Sequence, residues 1–189
     1  LDADEASLPE SARRHLAEVR TSLEQLPSVR ERATALQGEA KEFIAFYTAL
    51  NTQMLASIGS IASASSDAEL GRMALGYLAL LNAKEKAGIE RAQLANVFTT
   101  DRFAPGQLVT VAGLLAAQET FLRLFDITAG AAGVEMLRSR SAGPACAKVE
   151  QLERIAFEMG AAGGFGVEPA AWFQAMTDKI DELKEIEDQ

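Results

Sequence analysis

Apolar side chains recur at steps of three and four residues along almost the whole chain, and no stretch sustains an apolar–polar alternation. Residues three and four apart share a face of an α-helix, whereas a half-buried strand needs a period of two. This one regularity confines the 189-residue chain to an all-α fold. Turn signals leave only short connections, and helices joined by short connections are antiparallel neighbours, so the expected architecture is a set of up-and-down bundles of six or seven helices.

The punctuation places those helices. In "SLPESARRHLAEVRTSLEQL" Ser7 and Glu10 have capping-box spacing, Pro9 suits an early helical position, and Pro27 is expected to interrupt the helix. The next segment carries an apolar stripe through Phe43, Phe46, Tyr47, Leu50, Met54, Leu55, Ile58 and Ile61, with a kink expected at Gly38. "ASASSD" is a loop, and Ser66 with Glu69 repeats the capping-box spacing ahead of a long helix from about residue 67 to 98. "TTDRFAPG" turns the chain, and Pro105 opens a further helix running toward Arg140. "SAGPA" and the glycine-rich "GAAGGFGVEP" then set off two more. The last helix places Phe173, Met176, Ile180 and Leu183 on a coiled-coil-like seam.

Composition excludes several functions. With 18 basic against 27 acidic side chains, the net charge of −9 disfavours nucleic acid and anionic lipid as partners. Cys146 is the one cysteine, so neither an internal disulfide nor a cysteine metal cluster can form. His15 is the one histidine, flanked by Arg13 and Arg14, which removes Ser-His-Asp and Cys-His catalysis and histidine-based metal pairs. No metal site, cofactor or enzymatic activity is expected. The most apolar runs, "MALGYLALL" and "LVTVAGLLAA", are about half of the roughly 20 residues that cross a bilayer. The start at Leu1 without methionine and the helical ending "DKIDELKEIEDQ" suggest a piece of something longer.

Other candidates read as structural. "GAAGGFG" lacks the spacing of a phosphate loop and reads as a helix-to-helix turn whose glycines supply positive φ, with Phe165 in the core. Trp172 and Phe173 read as core aromatics, and Asp181, Glu182, Glu185 and Glu187 as solvating charges.

One stretch is different. In "NAKEKAGIERAQLANVFTTDRF", residues 82–103, the residues Lys84, Gly88 and Arg91 fall within about 60° of one another around a helix. Glycine inside a helix costs roughly 1 kcal/mol relative to alanine and leaves room for a neighbouring backbone or a small ligand. Two cations beside such a notch are either surface ion pairs, with Lys86 and Glu90 as an i,i+4 pair, or an anion site. Glu90 points about 100° away from Arg91 and cannot easily neutralise it.

The run "AKEKAGIERAQLANVFTTDRFAPG" resembles the signature of the nitrate- and nitrite-sensing (NIT) domain of bacterial chemoreceptors and related signal transducers. "AAQETFLRLFDITA", "VEMLRS" and "GFGVEPAAWFQAMTDKIDELKEIED" agree in the same order, so the similarity runs from roughly Phe43 to the end. The resemblance implies one sensor domain over residues 1–189, built as two stacked helical bundles sharing long helices, without its first helix or any transmembrane segment. It implies nitrate or nitrite bound between helices, with Arg91 as the anion contact and Lys84, Gly88 and Glu90 in the same motif. The family's earlier helix, which carries a second arginine, has no counterpart here. A periplasmic or extracytoplasmic location, a homodimer and membrane attachment through segments outside this chain are further implications. The alternative is a helical dimerisation or interaction module with no small ligand, in which Arg91 pairs with a carboxylate and the Phe173–Leu183 seam is the working surface.

Overall fold

The computed structural model describes residues 8–63 and 67–188. Among them are seven α-helices and no strand: α1 (Glu10–Thr34), α2 (Ala40–Ala62), α3 (Ala68–Thr100), α4 (Gln107–Thr128), α5 (Ala131–Ser141), α6 (Pro144–Met159) and α7 (Pro169–Glu187). The all-α expectation holds. The chain divides into two compact units, Leu1–Leu78 and Ala79–Gln189.

In the first unit α1 and α2 form an antiparallel pair. His15 Nδ1 meets Ser60 Oγ at 2.7 Å, Ser22 Oγ donates to Gln53 Oε1 at 2.7 Å, and Arg32 pairs with Glu42 at 3.3 Å, so one register rises as the other falls. His15 thus has a structural role. Pro27 does not interrupt α1, contrary to its sequence reading. An interior proline removes only its own N–H bond and crowds one carbonyl, and packing along α2 holds the remainder. The break comes instead at residues 35–39, where α1 ends in a Schellman turn: Gln37 N–H donates to Arg32 O at 2.8 Å and Leu36 N–H to Ala33 O at 3.1 Å. Leu36 occupies the left-handed position with φ 55°, and Gly38 follows at φ 134°, so Gly38 separates two helices rather than kinking one.

Ser7 and Ser66, the two expected capping serines, lie outside the described residues. The cap observed at α3 is Asp67, whose Oδ1 accepts from Glu69 N–H at 2.9 Å and Leu70 N–H at 3.2 Å. Pro105 precedes α4 without opening it; Gly106, at φ 79°, is the N-cap. The helix expected to run on toward Arg140 stops at Thr128, and α5 begins at Ala131.

The core of the second unit is built on Leu94, Val97, Phe98, Val111, Val149, Leu152, Phe165, Trp172 and Met176. Phe98 stands edge-on to both Phe165 and Trp172, with ring centroids 5.6 and 5.7 Å apart. Met176 is buried here with Ile180 packed against the same core, and Leu183 is buried in a second cluster with Leu80, Phe125, Leu137 and Ile186, so most of the α7 seam is spent inside its own unit rather than presented to a partner. Trp172 is fully buried as expected; Phe173 is 47% exposed and is not a core aromatic. The acidic side chains of α7 do more than solvate it: Glu185 pairs with Arg140 of α5, and Glu187 with Lys84 of α3.

Two loops close the end of this unit. Asp101, at φ 52°, accepts Phe165 N–H on its carboxylate at 2.8 Å and Gly164 N–H on its carbonyl at 3.2 Å. The glycine-rich turn reading holds, for Gly160, Gly163, Gly164 and Gly166 all have positive φ. At Gly163 an added Cβ would lie 2.5 Å from the Asp101 carbonyl oxygen, so only glycine lets the two loops meet.

Candidate functional site

The notch residues lie on the length of α3 that belongs to the second unit, and their neighbours come from α7. Lys84 is ion-paired with Glu187, both side chains only 18% exposed, so its charge is already matched within the unit. One turn on, Gly88 opens onto free space: a Cβ placed there would meet no atom within 4 Å. A further turn along, Arg91 is half-buried. Its Nη1 donates to Thr177 Oγ1 at 2.8 Å, and its guanidinium carbon lies 4.5 Å from the centroid of the Phe173 ring. Trp172 Nε1–H donates to the Arg91 carbonyl at 2.9 Å, fixing the backbone beneath the side chain.

Among the described residues Arg91 makes no ion pair with a carboxylate. A guanidinium has five N–H donors in a planar fork, and one hydroxyl acceptor uses one of them. The remaining edge can meet two oxygens of a small planar anion. Thr177 and Phe173 hold the group by a neutral acceptor and a π face, so its positive charge stays available. Thr177 and Phe173 sit four residues apart on one face of α7, but sequence periodicity alone could not say that this face meets Arg91.

Glu90, adjacent in sequence, lies elsewhere. It is fully buried and turned toward α4 and α6, away from the notch. Its Oε2 accepts from Gln118 Nε2 at 2.6 Å. Gln118 in turn accepts from Lys179 Nζ at 3.3 Å through Oε1, and Lys179 lies 3.9 Å from Glu153 Oε1. The four helices α3, α4, α6 and α7 thus each contribute one polar side chain to a buried cluster. The alternative of a Lys86–Glu90 surface pair gives way to this internal arrangement. Burial, then the adjacent Glu153 carboxylate, raise the Glu90 carboxyl from 4.5 to about 8, against the opposing pull of Gln118 and Lys179. Burial also pushes the Cys146 thiol up, consistent with an inert half-buried cysteine.

A cleft of about 850 Å³ opens beside the cluster, lined in part by Gln118, Glu153, Lys179, Arg123 and Arg138. Among the described residues no group of three or more His, Cys, Asp or Glu side chains is placed to hold a metal ion.

The structure therefore brings Lys84, Gly88 and Arg91 to one side of α3 and sends Glu90 to another. Thr177, Gln118, Glu153 and Lys179 are participants that the sequence did not single out, and Phe173, read there as a core and seam aromatic, stands instead against Arg91. An all-helical domain thus carries, on one side of α3, a half-buried arginine without a carboxylate partner among the described residues and an open notch at Gly88. The chain belongs to the nitrate and nitrite sensing family, NIT, whose model matches residues 1–189, including the stretch before Phe43. That family comprises sensory signalling domains, not enzymes. No curated protein and no solved structure matches the chain.

Proposed function

We propose that this chain is the extracytoplasmic ligand-binding domain of a bacterial, chemoreceptor-like signal transducer, and that it binds nitrate or nitrite at Arg91. The observation that carries the reading is the half-buried guanidinium held by Thr177 and Phe173 without a carboxylate partner. Nitrate is planar, so two of its oxygens meet a guanidinium fork in parallel while Gly88 leaves space beside it. Lys84, its charge matched by Glu187, ties α3 to α7 beside the notch, and Glu90 anchors α3 from its buried face. Because Arg91, Thr177 and Phe173 join α3 to α7, an anion that bridges the two helices biases their relative position, and α7 passes that bias to the membrane-proximal part of the transducer.

Calorimetric titration with nitrate, nitrite and chloride tests this. A charge-assisted bidentate contact is worth roughly 1.5–3 kcal/mol, so Arg91→Ala should weaken nitrate or nitrite binding by about ten- to a hundredfold. Arg91→Lys should recover little, since a point charge lacks the planar fork. Chloride binding as tightly as nitrate, or unchanged affinity in Arg91→Ala, would remove the site.

A second reading, self-association, is favoured by α4 rather than by α7. Val109, Ala112, Gly113, Ala116, Leu124 and Ile127 lie along one exposed face of α4, with Val109 76% and Ile127 77% exposed. By length and composition α4 could cross a membrane, with a mean hydropathy of 1.4 and 17% of the window buried. This revises the impression of uniformly short apolar runs. Glu119 and Arg123, paired on its exposed side near mid-helix, would be costly in a bilayer centre, so a second copy of the chain suits this face better. Sedimentation should then show a dimer that Ile127→Glu converts to monomer; a monomeric wild type at all concentrations removes this reading.

A further inference from the structure

We infer that the fully buried Glu90 carboxyl group carries a proton at neutral pH and presents it toward the Glu153 carboxylate, which makes the core of the second unit a proton-binding site. Two buried oxygens, Glu90 Oε1 and Glu153 Oε1, have no hydrogen-bond partner, and Glu153 is close enough to raise the proton affinity of Glu90. Two carboxylates can only accept, so as a doubly ionised pair they would repel and leave both oxygens unsatisfied in a region where the cost is highest. One added proton converts the pair into a donor and an acceptor and satisfies both atoms. The site is built from rigid parts: Glu90 on α3 and Glu153 on α6, with Gln118 of α4 fixing the second Glu90 oxygen.

The groups facing Glu90 are few. From α6 comes Glu153, from α7 Lys179, and from α4 the uncharged Gln118. Lys179 balances one negative charge and lies 3.9 Å from Glu153. The cluster is therefore neutral with one proton and carries an unbalanced buried charge without it. Cys146 feels the charges of Lys179, Glu182, Glu150 and Glu153, so Lys179 and Glu153 also act on that thiol. The cleft lined by Glu153, Gln118 and Lys179 gives the proton a route to solvent.

The direction of the linkage is fixed. Glu90 has a higher proton affinity folded than unfolded, 4.5 rising to about 8. Its contribution to stability is complete below about 4.5 and is lost as the pH rises through about 8.

Infrared difference spectroscopy of the intact chain reads the proton directly, through the carbonyl stretch of a protonated carboxylic acid. We expect that band at pH 7, its loss as the pH is raised through about 8, and its absence in Glu90→Gln, whose amide mimics the protonated acid. The thermal midpoint of the wild type should fall between about pH 5 and pH 9 more steeply than that of Glu90→Gln. If Glu90→Gln does not fold, Glu153→Gln serves: losing the neighbouring carboxylate should lower the proton affinity of Glu90 by about tenfold or more and move the band's midpoint to lower pH. No protonated carboxyl band in the wild type at pH 7, or a band unchanged in either folded variant, overturns the inference.

Discussion

Leu36 shows how a single position departs from the local rule. It sits at the left-handed residue of the Schellman turn, where glycine is the usual occupant, with φ 55° and 88% of its surface exposed. A β-carbon in that conformation crowds the following carbonyl, at a cost of roughly 1–2 kcal/mol. The exposed side chain recovers almost none of this through packing. Leu36→Gly should therefore raise stability by about 1 kcal/mol, net of the extra entropy glycine gives the unfolded chain, and lift the thermal midpoint by about 2–4 °C. An unchanged or lower midpoint in a melting experiment would show that Leu36 makes a contact that compensates for its backbone. Arg91 is the opposite case: its identity was legible as a cation beside a glycine, but its freedom from a carboxylate was not. Periodicity gives the face a side chain occupies, and only the packing shows that Thr177 and Phe173, rather than an acid, come to meet it.

Among the elements, the long helices were legible because each has a strong apolar period and a polar or glycine-rich stop. The breaks were less so. Pro27 reads as the end of α1, yet the helix ends at Thr34, just before Leu36 and Gly38, where backbone conformation rather than a missing donor decides. The α4–α5 break at Ala129–Gly130 follows apolar sequence on both sides, so its only signal was the glycine. The buried cluster was not legible at all, because Glu90, Gln118, Glu153 and Lys179 come from four helices and no spacing relates them. The loop pair was half legible: the glycines announced positive φ, but not that Asp101 would receive two backbone N–H groups from them. This clamp ties the end of α3 to the approach of α7. Gly163→Ala should cost about 2–3 kcal/mol, from the left-handed backbone and the 2.5 Å approach to Asp101 O together. Denaturant unfolding measures it, and a loss under 1 kcal/mol would mean that the clamp opens at little cost.

At the scale of the molecule, stability is distributed unequally between the two units. Among the described residues the first unit buries three apolar side chains, Ala12, Val19 and Leu50, and leaves ten large ones exposed, including Ile44, Tyr47, Met54, Ile61, Leu70 and Met73. The second unit buries nineteen, from Ala79 to Ile186. Each fully buried Val, Leu, Phe or Met contributes roughly 1.5–3 kcal/mol, so the difference is large even after the conformational entropy of each unit is charged against it. A helix pair with so little buried surface opens without the rest of the chain. Native-state hydrogen exchange should therefore show α1 and α2 exchanging through a low-energy sub-global opening, while the part of α3 beyond residue 79, α6 and α7 exchange only near the global unfolding free energy. Adding nitrate at saturating concentration should raise protection in the second unit first, since Arg91, Thr177 and Phe173 all belong to it. Equal protection across both units would mean that the first is held by surface it does not bury within itself. Protection gained first in α1 and α2 would move the anion away from Arg91.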